Sequence, residues 1–285
     1  MSGATRDLSG RTVVVTGASA GIGAAAARLF AELGATVAVV GRSRDKTAEV
    51  AARIGGRAHL VDYGSLESVR ALAADLLAAY ERIDLLANNA GVRLARRAVS
   101  VDGHEMTFQV NHLAPFLLTN LLLERLAAAP DARVINTGSR MYRMGRLDLD
   151  DLDATRGPFR GGRVYGAAKL ATVLFTAELA RRTSATGVTT SAFHPGDVST
   201  DVTRDNALLR YFMTSRLGRA VLLSPEQGAE PLLHLATVAD PQAVNGAYFD
   251  RLTREDPKNP QARDPRLARL LWERSAQLTG LAASP

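Results

Sequence analysis

The stretch "TVVVTGASAGIG", Thr12–Gly23, decides how the rest of the chain is read. Four apolar or β-branched residues end in a threonine, and glycines follow at 17, 21 and 23. A short apolar run bounded by glycine reads as a buried strand. An alanine-rich segment, Gly23–Leu33, then reads as a helix. Glycine at such a junction admits unusual backbone angles and lets a ligand approach the main chain. The helix start offers free N–H groups and the positive end of the helix dipole, which together suit a phosphate. The spacing is G-x-x-x-G-x-G rather than the commoner G-x-G-x-x-G of dinucleotide turns.

The same alternation continues along the chain. Strands are expected at Thr36–Val40, His59–Val61, Asp84–Asn88, Arg133–Thr137 and Val188–His194. Helices are expected at Arg44–Ile54, Leu66–Tyr80, Met106–Leu126, Tyr165–Arg182 and Leu267–Leu278. Apolar strands alternating with helices predict a parallel sheet covered on both faces. Right-handed crossovers make it doubly wound. The expectation is one α/β domain of Rossmann type over residues 1–285, with a core from about 8 to 250. Arg140–Gly162 reads as a polar loop, and residues 197–223 as a small substrate-binding flap. Residues 251–285 read as a C-terminal extension, with Asp256–Pro265 rich in proline and charge.

Composition narrows the function classes. The chain has 285 residues, 46% hydrophobic and 22% charged, an ordinary globular balance. No apolar run reaches the roughly 18 residues that span a bilayer. The N-terminal "MSGATRDLSG" lacks an apolar secretory region. With no cysteine there is no disulfide, thiolate nucleophile or thiolate-bound metal, which fits a cytoplasmic protein. The net charge of +6 comes from Lys and Arg spread along the chain. With 5% aromatic residues, that argues for a solvated basic surface and against nucleic acid. No histidine spacing suggests a metal. Asp148, Asp150, Asp151 and Asp153 fail the calcium-loop pattern and read as a solvated loop.

Chemistry concentrates at the expected carboxyl ends of the strands, where such sheets bind ligand. The second strand ends in "VVGRSRDK", which offers Arg42, with Arg44 and Lys46 close by, and no carboxylate. A guanidinium grips a 2′-phosphate in bidentate fashion, so NADP(H) is favoured over NAD(H). "GGRVYGAAKLATVLF", Gly161–Phe175, sets Lys169 among apolar residues four positions after Tyr165, on the same helical face. A free phenol, with a pKa of about 10, is a poor acid–base catalyst at neutral pH. A neighbouring ammonium is expected to lower that value and so explain a buried lysine.

"LLANNAG" (Leu85–Gly91), "VNHLAPFLLT" (Val110–Thr119), "VINTGS" (Val134–Ser139) and "HPGDVST" (His194–Thr200) join that pair in order. Together they resemble the short-chain dehydrogenase/reductase family over about Leu8 to Phe249. The 26 positions between Ser139 and Tyr165 resemble the retinol-dehydrogenase and WW-domain-oxidoreductase-like branch. The resemblance implies a catalytic tetrad of Asn111, Ser139, Tyr165 and Lys169, with Asn111 holding a water. It also implies cofactor contacts from Gly17, Ser19, Ala20, Gly21, Ile22, Gly23, Arg42, Asp62, Tyr63, Asn89, Ala90 and Gly91. Pro195, Gly196, Val198 and Thr200 would shape the nicotinamide pocket, and Tyr165 and Lys169 would touch the cofactor too. Family members are often homodimers or homotetramers, and the branch includes monomers.

Arg140, Met141, Tyr142 and Met144 are candidates for substrate contact, as are Leu208, Leu209, Tyr211, Phe212 and Met213 in the apolar flap. A methionine-bearing lid favours a lipophilic ketone, aldehyde or alcohol. Arg93, Arg96 and Arg97 either favour a substrate with an acidic edge or are solvated surface. Two rival readings stand beside the oxidoreductase. One is an NADP(H)-binding regulator without turnover. The other takes Gly17–Gly21 as the G-x-S-x-G elbow of a serine hydrolase, with Ser19 as nucleophile and His194 as its partner.

Overall fold

In the computed structural model, which describes residues 7–198 and 222–281, the strands form one sheet in the order β3-β2-β1-β4-β5-β6-β7-β8. β1 is Thr12–Thr16, β2 Thr36–Gly41, β3 Arg57–Leu60, β4 Leu85–Asn88, β5 Arg133–Thr137 and β6 Thr189–His194. β7, Ala247–Asp250, is also parallel, and β8, Thr253–Glu255, returns antiparallel along it. Strand order reverses between β1 and β4, the switch point at which doubly wound sheets bind ligand.

Alternation along each strand feeds two cores. Val14, Ala38, Val40, Leu86, Val134, Ala192 and Tyr248 enter one of them. Their neighbours Val13, Val15, Val37, Val39, Ala87, Ile135 and Phe193 enter the other. The first is closed by α3 (Leu66–Ala79), α5 (Ala114–Ala127), α6 (Gly161–Arg182) and α8 (Pro265–Leu278). The second is closed by α1 (Gly21–Glu32), α2 (Arg44–Ile54) and α7 (Pro225–Thr237).

The helix expected over Met106–Leu126 is interrupted. A short α4, Met106–Phe108, passes through a π-helical turn, Gln109–Leu113, before α5 begins. Pro115 explains it. Proline has no N–H for the carbonyl four residues back, here that of Asn111, and its ring crowds that carbonyl. The ladder widens instead, and the Ala114 N–H bonds Gln109 five residues back. α6 begins at Gly161, four residues before its expected start, so Tyr165 sits in its second turn.

Among the described residues, the helix α7 and the strands β7 and β8 were not expected from sequence. α7 carries a legible start signal in "SPEQ". The Ser224 hydroxyl accepts from the Gln227 N–H, the Gln227 side chain accepts from the Ser224 N–H, and Pro225 opens the helix.

The C-terminal extension is part of the first core. Trp272 of α8 stacks on Phe175 of α6 at 5.7 Å and meets Phe116 of α5 edge-on at 4.9 Å. Arg182 lies 4.6 Å over the indole, and Ser275 and His112 hydrogen-bond at 2.7 Å. Trp272→Ala is expected to cost about 3 kcal/mol or more. Denaturant unfolding checks this, and a loss below about 1 kcal/mol would show that α8 is merely draped on the domain.

Candidate active site

Thr16, the last residue of β1, joins the glycine turn to "NNAG". Its hydroxyl accepts from the Asn89 and Ala90 N–H groups at 3.0 and 3.1 Å. The Asn89 side chain returns a bond to the Thr16 carbonyl at 3.0 Å. Gly17 has φ +66, and a Cβ there would lie 2.8 Å from the Ala90 Cα. A Cβ on Gly23 would overlap the Gly17 carbonyl and lie 2.6 Å from the Asn89 amide nitrogen. This close backbone packing leaves the N–H groups at the start of α1 facing the sheet edge, with Ala20 as the extended N-cap.

Ser19 packs against Gly41 at the end of β2, beside the exposed Arg42. Arg42, Arg44 and Lys46 have no ion-pair partner among the described residues. One Asp62 carboxylate oxygen accepts from the Gly64 N–H at 2.9 Å, which fixes the turn after β3.

Tyr165, Lys169 and Ser139 converge at the ends of β5 and α6. The Lys169 ammonium, 4% exposed, donates to the Thr137 carbonyl at 2.8 Å and lies 5.6 Å from the centre of the Tyr165 ring. Burial pulls its pKa down to about 8. The Ser139 hydroxyl accepts from the Met141 N–H at 3.2 Å and stands near enough to the phenol to lower its pKa. A Cβ on Gly91 would sit 2.7 Å from the Asn111 amide oxygen and 3.7 Å from the Lys169 ammonium. The cofactor turn and the tetrad thus share one edge.

Asn111 donates to the Val92 and Thr107 carbonyls, both at 2.7 Å, while its buried amide oxygen has no partner among the described residues. A cavity of about 10 Å³, a size that suits one water, opens between Asn111, Asn136, Thr137 and Lys169 on one side and Pro115 and Phe175 on the other.

One electrostatic expectation is reversed. Burial raises the Tyr165 pKa above its ordinary value, while Ser139 and the charge of Arg93 pull it back only in part. Lys169 lies over the ring face and spends its hydrogen bond on a backbone carbonyl. Desolvation of the phenol therefore outweighs its pull.

Several expected contacts also move. Tyr142 is fully buried, 4.7 Å from the Tyr248 ring, and its hydroxyl donates to Glu255 at 2.9 Å. It is a core residue and not a substrate contact. Tyr63 is 5% exposed inside the same core, so its side chain does not lie open beside an adenine. Arg140 is held by both oxygens of Asp250, at 2.9 and 3.1 Å. Met144 lines a groove of about 560 Å³ with Arg163, Val164 and Ala167. By helical spacing that groove lies on the face of α6 away from Tyr165. Gly196 has φ +93 beside Leu223, and Val198 packs near Ile22 over Gly228, next to α1. Thr200, Leu208, Leu209, Tyr211, Phe212 and Met213 lie outside the described residues, as does most of the 197–223 flap.

The hydrolase reading fails on distance. Ser19 abuts β2, His194 ends β6, and β1, β4 and β5 lie between them. Four strand spacings amount to about 19 Å.

The family model for "short chain dehydrogenase" matches residues 11–210. The chain belongs to the short-chain dehydrogenase family. Retinol dehydrogenase 13 of Homo sapiens is 40% identical, over 96% of this chain and 86% of that relative. A Streptomyces protein named "Putative daunorubicin C-13 ketoreductase" is 41% identical, over 96% and 94%. A crystal structure of a Mycobacterium Paratuberculosis protein superposes with TM-score 0.79 at 33% identity, covering 97% of this chain and 96% of that one. A Burkholderia cenocepacia short-chain dehydrogenase in complex with NADP superposes with TM-score 0.67 at 28% identity, covering 86% and 97%. The chain is thus a short-chain oxidoreductase of the retinol-dehydrogenase branch.

Lys169 is costly where it stands. Its pKa in the fold lies below the unfolded value of 10.5, so the full penalty acts below pH 8. Above that, the native state sheds a proton that the unfolded chain still holds, and stability rises with pH. Lys169→Met is therefore expected to gain about 2 kcal/mol at pH 7, a gain that shrinks as pH approaches 10.5. Chemical denaturation across that range, alongside loss of turnover, checks it; a variant less stable at pH 7 would refute it.

Proposed function

We propose that this short-chain dehydrogenase interconverts a lipophilic ketone or aldehyde and its alcohol, with NADP(H) preferred over NAD(H). The observation that carries the reading is the convergence of Tyr165, Ser139, Lys169 and Asn111 beside Gly91, at the edge that also holds the Thr16–Gly23 turn. The cofactor fits this edge. The unpaired amide oxygen of Asn111, the close-packed Gly17 and Gly23 and the unpartnered Arg42 are what a bound dinucleotide would use. Ser19 and Arg42 would hold the 2′-phosphate, the N–H groups of α1 the pyrophosphate, and Lys169 the nicotinamide ribose.

When bound, the nicotinamide supplies or accepts the hydride. The chain handles the proton and the charge. Ser139 and Tyr165 hydroxyls donate to the substrate carbonyl oxygen and stabilise the negative charge that develops there. Tyr165 then gives up its proton. A phenol held above its ordinary value is protonated at neutral pH, which is the state reduction requires. Lys169 and Asn111, with the cavity between them, offer a route by which that proton is replaced.

The relatives support the substrate class. Their names give retinol, an alcohol, and the C-13 ketone of daunorubicin. Both a regulator and an oxidoreductase would bind NADPH, and turnover separates them. No helix among the described residues is long and apolar enough to cross a membrane. The cysteine-free composition supports the proposal of a cytoplasmic enzyme acting on substrates that reach it through solution.

The test follows NADPH absorbance against a panel of lipophilic ketones and aldehydes, with NADH in parallel. Tyr165→Phe is expected to lower turnover by about 10²–10⁴. Arg42→Ala is expected to raise the KM for NADPH by about tenfold or more while leaving that for NADH nearly unchanged. Equal effects on both cofactors would remove Arg42 from the 2′-phosphate, and undiminished turnover in Tyr165→Phe would refute the mechanism.

A further inference from the structure

Gly161 and Gly162 open α6 without side chains, and the segment after "NNAG" is pressed against them. A Cβ on Gly161 would overlap the Leu94 carbonyl and sit 3.4 Å from the Ala95 Cα. A Cβ on Gly162 would lie 3.6 Å from an Arg93 terminal nitrogen. This contact carries Arg93 over the reacting phenol. Its guanidinium carbon is 5.9 Å from the centre of the Tyr165 ring.

The charge stands there unneutralised. Arg93 is exposed and has no ion-pair partner among the described residues. Its neighbours along the chain and at the other rim are placed differently: Arg96 also has no ion-pair partner among the described residues but makes no contact with the Tyr165 ring. Arg97 donates to the Asp153 carbonyl at 3.2 Å, and Arg140 is neutralised by Asp250. Lys169 also faces the Tyr165 ring, but it is buried beneath it and committed to Thr137. A free guanidinium beside a proton-donating phenol does two things. It favours negative charge on the phenol, and it presents two parallel N–H donors to a ligand bound beside the ring.

We propose that Arg93 is a specificity-determining residue, and that it selects carbonyl compounds bearing a carboxylate or another ionised acid near the reacting carbonyl. This rests on the oxidoreductase reading above and names the substrate class more closely: lipophilic keto acids rather than neutral ketones. The carbonyl oxygen meets Ser139 and Tyr165, and the acid meets the guanidinium across the width of the phenol ring. The apolar remainder extends away from both.

A ladder of oxodecanoates that moves the ketone along the chain, each paired with its methyl ester, reads this directly. For at least one isomer the acid is expected to exceed its ester in kcat/KM by about tenfold or more, the weight of one charge-assisted bidentate contact. In Arg93→Met the acid-to-ester ratio is expected to fall to near one. Arg93→Lys should keep part of it, and Arg93→Glu should drive it below one. The ratio cancels any general loss of turnover caused by altering a residue beside Tyr165.

Equal rates for acid and ester in the wild type at every isomer would overturn the proposal. So would a preference that survives Arg93→Met, or an Arg93→Met effect confined to the KM for NADPH. Calorimetry supplies an arm without turnover. The matching hydroxydecanoate is titrated into Tyr165→Phe saturated with NADP+, with and without Arg93→Met. Binding that depends on Arg93 supports the proposal even where no ketone is reduced, and then only the oxidoreductase reading fails. Binding indifferent to Arg93 overturns it.

Discussion

The ammonium of Lys169 is held in the interior by one backbone carbonyl, and much of the architecture is arranged around that group. The Thr137 carbonyl that accepts from it ends β5. That strand end is secured from both sides by polar side chains. Asn88 of β4 donates to Asn136 of β5 and to Thr119 of α5, each at 3.0 Å. Asn136 in turn donates to Thr176 of α6 and Thr190 of β6, at 3.0 and 3.4 Å. A buried polar chain of this kind fixes strand register and helix position together, because slipping either element would leave several buried groups unpaired. It lies directly behind the tetrad, so the groups that position α6 also position Tyr165 and Lys169.

Pro115 acts on the same region by a different route. It denies the Asn111 carbonyl a helical partner and widens the turn that carries Asn111. The Asn111 side chain is then pinned by two carbonyls, with its amide oxygen turned towards Gly91 and Lys169. A regular helix through residues 106–126 would have rotated Asn111 away, since each residue turns the face by about 100°. The proline, unremarkable as an apolar-run residue, sets where a tetrad member points.

The sheet and the tetrad were legible because both rest on local pattern. Short segments of four to six residues, rich in apolar or β-branched side chains, mark β1, β2, β4, β5 and β6. Glycine spacing, "NNAG" and Tyr165 with Lys169 are motifs readable one at a time. What escaped depends on packing between distant segments. Tyr142 looked like a cleft residue from its place three positions after Ser139. Its hydroxyl instead finds Glu255 on β8, a strand that the sequence reading did not contain. Tyr63 follows an expected adenine contact, yet the turn after β3 packs its ring into the core. The reversed direction of the Tyr165 pKa has the same origin. Sequence spacing shows that a lysine is near, but only the fold shows that desolvation of the phenol is larger than the pull of that lysine.

Two cations, Lys169 and Arg93, approach the Tyr165 ring to within 5.6 and 5.9 Å of its centre, and their surroundings divide the work. Lys169 is buried, so its charge acts through a low-dielectric interior, but the same burial depresses its own pKa and weakens its hold on the phenol. Arg93 is solvated, so its field on the phenol is screened, and its planar fork of donors faces outward. A cation that can lose its proton suits a relay beneath the ring, where protons must pass. An exposed cation suits recognition at the mouth, where its donors are free to meet a ligand. The glycines at the start of α6 reconcile the two demands. They bring the Arg93 segment close enough to face Tyr165 without burying its charge.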